Sequence, residues 1–305
     1  MNDVHVPVLA EEICQWLRPK PGGIYVDCTL GVGGTSLKIL ESSGNNAYIL
    51  GFDRDPEALA YAEKNLEPYR SQVKLFNGNY SHLMEFVHQA GFERVDGVVF
   101  DLGVSSLQLD KPERGFSFAS DGPLDMRMNQ TQGPTAADLV KVLSEKELAD
   151  LFFVCGEERF SRRIARAIVE ARKTFALDTT QALVAVIKGA VPSSYRKGRI
   201  HCATRTFQAL RIRVNQELDL LQPALQSAVS LLQVGGRVCV VAFHSLEDRI
   251  VKHTFRAMAG KDHPAITILT KKPVTADQRE IEQNPRARSA KLRVAQRLAE
   301  GALQS

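Results

Sequence analysis

The chain of 305 residues is 44% hydrophobic and 24% charged, carries a net charge of +4, and has no low-complexity tract. That excludes a disordered or fibrous protein and leaves room for one large domain or two smaller ones. The five cysteines (Cys14, Cys28, Cys155, Cys202, Cys239) form no C-x-x-C pair, so reduced thiols are expected, with neither a zinc site nor any other metal. No apolar stretch approaches the ~20 residues of a membrane span. The opening "MNDVHVPVLAEEICQWLRPK" has no cationic start before an apolar core, so no signal peptide is expected and the protein reads as soluble and cytoplasmic.

The first third alternates strand and helix. "IYVDCT" (24–29), "AYILGFD" (47–53), "VKLFNGN" (73–79) and "VDGVVFD" (95–101) are β-branched runs without polar alternation, the pattern of strands covered on both faces. Helical segments lie between them, such as "DPEALAYAEKNLEPY" with Pro56 in its first turn. Repeated units of this kind predict an α/β, doubly wound, mostly parallel sheet. From Asp110 to Arg205 the alternation stops, and "TAADLVKVLSEKELADLFFVC", "EERFSRRIARAIVEARKTF" and "TTQALVAVIKGAV" read as helices. A long helix, "TRTFQALRIRVNQELDLLQPALQSAVSLL", is expected to bend near Pro223. Strands then return at 236–244, 265–270 and 290–298. The expected organisation is a nucleotide-binding domain of residues 1–109 and 206–305, interrupted by a helical insert of residues 110–205.

"VDCTLGVGGTS" (26–36) joins the first strand to a helix, and Gly31, Gly33 and Gly34 allow a tight turn and close approach of a ligand. Ligands of open α/β sheets bind at such junctions. Asp53 ends the second strand about 20 residues on, where a carboxylate can grip ribose hydroxyls. The dinucleotide fingerprint G-x-G-x-x-G requires glycine at position 36, where Ser36 stands. Asp27 before the loop suits a cationic cofactor such as S-adenosylmethionine better than a pyrophosphate. Methyltransferase loops follow D-x-G-x-G-x-G, which Asp27, Gly31 and Gly33 match, with Thr29 at the first glycine position. Tyr80, just past the third strand, is placed to lie near an adenine or to anchor a loop. Asp101 ends the fourth strand, where cofactor and substrate must meet.

At "DLGVSSLQLD" (101–110) and "ERGFSFASDGPLDMRM" (113–128) the chain resembles the bacterial S-adenosylmethionine-dependent methyltransferases that modify N4 of cytidine 1402 in 16S ribosomal RNA. The resemblance continues through "HVPVL" (5–9), "GVGGTS", "FDRDP" (52–56), "GEERFSRRIARAIV" (156–169), "ATRTFQALRIRVN" (203–215), "FHSLEDRIVK" (243–252) and "NPRARSAKLR" (284–293). It implies a class I, Rossmann-like methyltransferase fold with an inserted helical domain that recognises RNA. It further implies cofactor contacts from Gly33, Gly34, Thr35, Asp53, Tyr80, Asp101 and Gln108, with the small ribosomal subunit as substrate. Thr35 often appears as His in the family and Tyr80 as Phe.

The exocyclic amine of cytosine is a poor nucleophile, because its lone pair is delocalised into the ring. Transfer needs it held in line with the methyl group and bonded to acceptors that favour pyramidal nitrogen. Many amino-methyltransferases place Asp/Asn/Ser-Pro-Pro-aromatic after the fourth strand; here Asp101-Leu102-Gly103-Val104 stands instead. Asp101, Ser105 and His244 are the catalytic candidates, although both serines of the loop also suit backbone capping and His244 also suits a structural place at a strand end. "SLED" reads as a helix cap at Ser245 with Asp248 three positions on.

Residues 155–205 hold 11 Lys/Arg and 4 Asp/Glu, a net of +7 in a chain of +4, so everything else sums to −3. In "EERFSRRIARAIVEARK" an apolar stripe of Phe160, Ile164, Ala167 and Ala171 is expected, with Arg159, Arg163, Arg166 and Lys173 mainly opposite. Together with Arg196, Lys197 and Arg199 of "YRKGR" this face is expected to contact RNA phosphates, and Arg286 and Arg288 offer a second patch. Two other readings remain at this stage: a ribosome assembly factor on a methyltransferase fold, and an NAD-linked oxidoreductase, against which Ser36 argues.

Overall fold

The computed structural model describes residues 7–260 and 264–299; His5 and Val6 of the "HVPVL" segment lie outside them. Seven strands form one sheet: β1 Ile24–Asp27, β2 Tyr48–Asp53, β3 Val73–Asn77, β4 Val95–Asp101, β5 Leu232–Ala242, β6 Ile266–Ile268 and β7 Lys291–Arg297. Their order is β3-β2-β1-β4-β5-β7-β6. The first five pair in parallel, and β7 runs antiparallel to both β5 and β6. The expected α/β, mostly parallel sheet is therefore present, and its order reverses between β1 and β4, the place where such sheets bind ligands.

The uniform apolarity of the strands has a simple cause. Alternate residues feed two separate cores, one on each face. Val26, Leu50, Phe52, Val98, Phe100, Val238 and Val240 belong to one, and Tyr25, Ile49, Val99, Cys239, Val241, Leu292 and Val294 to the other. Phe52, Phe76 and Phe86 stack at 5.1–5.3 Å beneath β2 and β3. Each fully buried side chain of this size contributes about 1.5–3 kcal/mol. All five cysteines are unbridged. Among the described residues no helix is long and apolar enough to cross a membrane.

Two compact units divide the chain, residues 1–103 with 218–305, and residues 104–217. The second reaches beyond the 110–205 read from the sequence pattern at both ends, because Val104, Leu109, Ala209, Leu210 and Val214 pack in its own core. The anticipated single helix through 135–155 is two, Ala136–Val142 and Glu145–Gly156. Ser144 starts the second one with a reciprocal cap to Glu147, which interrupts the first. The expected long helix is also two, Thr204–Asn215 and Leu221–Leu231. The break falls at Gln216, in the left-handed region at φ 51°, and not at Pro223. Pro223 occupies the first turn of the later helix, where a missing N–H leaves nothing unpaired.

The "ERGFSFASDGPLDMRM" segment is a scaffold within the second unit. Buried Arg114 donates to the carbonyls of Arg127 and Met128 at 3.1 and 2.9 Å. Asp125 takes a two-pronged grip from Arg127 at 2.8 and 2.9 Å. Asn215 accepts from Met128 N and donates to the Met126 carbonyl, at 2.9 and 2.7 Å. A Cβ at Gly115 would meet the Pro123 carbonyl oxygen at 2.2 Å, and one at Gly122 the Pro112 carbonyl oxygen at 2.0 Å. Backbone passes too close there for any other residue.

Candidate active site at the carboxyl edge of the sheet

Asp27, Asp53 and Asp101 are the last residues of β1, β2 and β4, and the loop 28–33 ties them together. Asp27 is almost fully buried; its Oδ1 accepts from Thr29 N at 3.3 Å and its Oδ2 from the Ser36 hydroxyl at 2.8 Å. Asp53 accepts from Gly31 N at 2.8 Å and from Asp55 N at 2.9 Å. The Thr29 hydroxyl accepts the Asp101 N–H at 2.6 Å, a bond that glycine at this position could not make. That accounts for the departure from the methyltransferase loop pattern.

Gly31 and Gly33 take φ of 53° and 87°, and Gly33 N closes the turn onto the Leu30 carbonyl at 2.8 Å. A Cβ at Gly31 would stand in open space, whereas one at Gly33 would press Leu66 at 3.0 Å and one at Gly34 would press Pro7 at 3.3 Å. Pro7 of the "HVPVL" segment thus braces the loop. Gly33 caps the helix Gly34–Ser42 without a side-chain bond. The N–H groups of the first turn, Thr35 among them, have no acceptor within the helix.

Electrostatically the three carboxylates are crowded. Burial pushes Asp27 up to about 6 against the bonds from Ser36 and Thr29. Asp53 also rises to about 6, through burial and then the charges of Asp55 and Asp27. Asp101 rises to about 8, through burial and then the charges of Asp27 and Glu247. Its Oδ1 is buried with no hydrogen-bond partner. Among the described residues none of the three has a lysine or arginine ion-pair partner.

Tyr80 is buried in the core beside β4, edge-on to Phe100 at 5.8 Å. His244 follows β5, whose Val241 pairs with Asp101. The cap of the following helix, Ser245–Met258, is His244 and not Ser245. His244 Nδ1 accepts from Glu247 N at 3.3 Å, while Glu247 accepts from Phe243 N and His244 N at 2.8 and 3.2 Å. That bonding puts the proton of the neutral ring on Nε2, which lies 3.2 Å from Glu247 Oε1 without hydrogen-bond geometry. Asp248, expected as the third-position partner of a Ser245 cap, instead pairs with Arg293 at 2.6 Å and Lys291 at 3.4 Å.

The MraW methylase family model matches residues 2–298. The ribosomal RNA small subunit methyltransferase H of Geotalea uraniireducens is 48% identical over 313 residues, spanning 98% of this chain and 100% of that protein. The protein of the same name from Geobacter sulfurreducens is 48% identical over 311 residues, again 98% and 100%. That from Afipia carboxidovorans is 50% identical over 307 residues, 97% and 91%. This chain belongs to the MraW methylase family. The family expected from the sequence motifs is the one found.

Within this methylase, the first unit brings Gly33, Gly34, Thr35, Asp53, Tyr80, Asp101 and His244 to the carboxyl side of its strands. Ser105 and Gln108 belong to the second unit. They cap the helix Ser106–Asp110 reciprocally, Ser105 N donating to Gln108 Oε1 at 3.1 Å and Gln108 N to Ser105 Oγ at 3.3 Å. In the same unit Arg159, Arg163, Arg166, Arg196, Lys197 and Arg199 are all exposed. The apolar stripe of the helix Ser161–Ala171 is offset from the expected one. Ser161, Ile164, Ala165 and Ile168 are buried, while Phe160 precedes the helix and, with Ala167 and Ala171, is only partly covered. Sequence reasoning missed Thr29, Ser36 and Glu247. Thr29 and Ser36 gave a weak signal because each bonds a group many positions away, whereas Glu247 caps its own helix from a position that the "SLED" pattern masked.

Proposed function

We propose that this chain transfers a methyl group from S-adenosylmethionine to N4 of a cytidine, position 1402, in 16S ribosomal RNA within the small ribosomal subunit, in the cytoplasm. The observation that carries the reading is the set of three carboxylates without cationic partners around the glycine loop of an MraW methylase. A sulfonium donor with an ammonium group offers positive charge to those carboxylates and hydroxyls to Asp53, and its carboxylate suits the free N–H groups of the Gly34–Ser42 helix. The open space above Gly31 and the unpartnered Asp101 Oδ1 fit such a group as well.

S-adenosylmethionine supplies an electrophilic methyl group when bound. The chain does the rest. Gly33, Gly34 and Thr35 would hold the amino-acid end, Asp53 the ribose, and Tyr80 the adenine side. Asp101 is the acceptor available to the exocyclic amine: a bond from N–H to its Oδ1 returns electron density to nitrogen and favours pyramidal geometry. Ser105 still has its own proton to donate after accepting from Gln108 N, and can orient the amine. His244, whose Nδ1 already accepts from Glu247 N, would touch the base through its Nε2–H. Arg159, Arg163, Arg166, Arg196, Lys197 and Arg199 would bind the phosphates. The test is mass spectrometry of 16S RNA fragments from cells with and without the protein, repeated with purified chain, donor and small subunits. A cytidine whose methylation does not depend on the protein refutes the reading, and donor binding without transfer leaves only an assembly factor.

A further inference from the structure

Arg159 stands between two rings, its Cζ 4.8 Å from the centre of Phe160 and 4.7 Å from that of Tyr195. The rings themselves meet edge to face at 4.8 Å. Both are anchored by Glu158, which is fully buried. Its Oε1 accepts Phe160 N at 2.8 Å, and its Oε2 accepts the Tyr195 hydroxyl at 2.7 Å. Burial and this neighbouring carboxylate push Tyr195 up to about 12, so the hydroxyl keeps its proton and remains a donor. Both oxygens of Glu158 are thus engaged in holding the clamp, and Arg159 forms no ion pair among the described residues. A guanidinium in cation–π reach of two anchored rings has fewer places to go than one on a free side chain.

Arg162, Arg163 and Arg166 continue from it at three, four and seven residues, one face of the Ser161–Ala171 helix. Arg162 to Arg166 span about 6 Å of that helix at 1.5 Å per residue, and Arg159 lies just before its first turn. Arg162, Arg163 and Arg166, with Ala167, Gly189 and Ala190, line a recess of about 320 Å³. Gly189 leaves it open, since nothing lies within 4 Å of where its Cβ would be. Among the described residues, Arg166 alone of the four has a carboxylate partner, Glu145 at 3.4 Å, and both groups are solvent-exposed. Four guanidinium groups this close, with one weak counter-charge, call for a polyanion with regularly spaced charge.

We propose that Arg159, Arg162, Arg163 and Arg166 form a ridge that carries the phosphodiester backbone of a single RNA strand, with Glu158 and Tyr195 as positioning residues that preset Arg159. This rests on ribosomal RNA being the substrate. It adds Arg162, which the apolar-stripe pattern did not single out, and gives the clamp a purpose. Planar, two-pronged donors suit phosphate and carboxylate alike, so the choice of RNA over an acidic polypeptide comes from the ribosomal RNA substrate and is tested against polyglutamate.

The experiment measures affinity of the full chain for a labelled single-stranded 16S RNA fragment across a salt series. Arg159→Ala and Arg162→Ala should each reduce the slope of log affinity against log salt by about 0.7, with affinity for S-adenosylmethionine unchanged. Arg159→Lys keeps the charge but loses the two-pronged guanidinium fork, so it should hold the wild-type slope and bind several-fold more weakly. Tyr195→Phe should do the same more mildly, because the rings stay and only the anchor to Glu158 goes. Wild-type slopes in both alanine variants overturn the ridge alone, whereas no salt-dependent RNA affinity in the wild type overturns the substrate reading with it. Tighter binding of polyglutamate than of RNA of equal charge also overturns the proposal.

Discussion

Asp101→Asn probes whether the carboxyl edge is held ready for a cation. The substitution keeps the shape of the side chain and removes its charge. Asp101 lies at about 8 against the ordinary 3.8, through burial and then the charges of Asp27 and Glu247. The folded chain therefore holds this proton more tightly than the unfolded chain does. Its contribution to stability is fully present below about pH 3.8 and is lost as pH rises through about 8. At about 1.36 kcal/mol per unit, a gap of about four units caps that loss near 6 kcal/mol. Asp101 is only partly buried, and water around it lowers the expected loss to about 1–3 kcal/mol. Asparagine does not titrate, so its stability advantage over the wild type should widen between about pH 5 and about pH 8 and then level off. Urea titrations at several pH values read this as a rising difference in midpoint with an unchanged m value. Affinity for S-adenosylmethionine should move the other way, weaker in the variant and, in the wild type, increasing with pH up to about 8. Parallel stability curves for the two proteins across that range would refute the reasoning.

Ser36→Ala removes the hydroxyl that bonds Asp27 at 2.8 Å; calorimetric melting should show a loss of about 1.5–3 kcal/mol, because a buried carboxylate loses a donor. Asp53→Ala should weaken donor binding by about 1.5–3 kcal/mol in isothermal calorimetry, and unchanged affinity in a folded variant would remove Asp53 from the site. Ser105→Ala should lose about 1 kcal/mol of stability as a helix cap and slow single-turnover transfer at saturating donor; an unchanged rate would confine Ser105 to capping. Gln216→Gly should raise stability by up to about 1 kcal/mol in denaturant titration, since glycine takes the left-handed φ without strain.

Much of the site was legible because a buried parallel strand must end somewhere, and an aspartate at the end of an apolar run marks the place. Asp27, Asp53 and Asp101 could be located in that way, and the glycines between β1 and the following helix could be read as a turn. The bonds those residues make could not be read. Ser36 was seen only as a missing glycine, although its hydroxyl satisfies Asp27. Thr29 was seen only as a departure, although it accepts the Asp101 N–H across the sheet. The helix start after β5 shows why local pattern fails there. "SLED" satisfies the spacing of a cap and its partner, but "HSLE", one residue earlier, does so too. Arg293, 45 positions further on, draws Asp248 away at 2.6 Å, and the cap falls to His244 and Glu247. A long-range ion pair decides a local question, and nothing in the local sequence announces it. The break at Gln216 is of the same kind: proline is the visible helix breaker, yet the left-handed turn comes seven residues before it.

Elsewhere in the chain, three carboxylates with little exposure are matched to guanidinium groups, while Glu158 is held by a backbone N–H and a tyrosine hydroxyl. Asp125 has Arg127, Glu217 has Arg211 at 2.8 Å and Asp248 has Arg293. The fold supplies arginine to those three, and among the described residues it supplies none to Asp27, Asp53 or Asp101. Asp27, Asp53 and Asp101 instead rely on backbone N–H groups and one hydroxyl, and Asp101 Oδ1 has nothing at all. An uncompensated cluster of this kind lowers the stability of the folded chain, because it raises the proton affinity of each member. An arginine placed there would recover that stability and would also occupy the space and charge that a cationic methyl donor needs. The edge is therefore destabilised in the way that binding would relieve: a cation entering it gains from three carboxylates at once, and the protein gains back what folding gave up. By the same argument, the donor should stabilise this chain most near and above pH 8, where all three carboxylates are ionised and no bound cation compensates them.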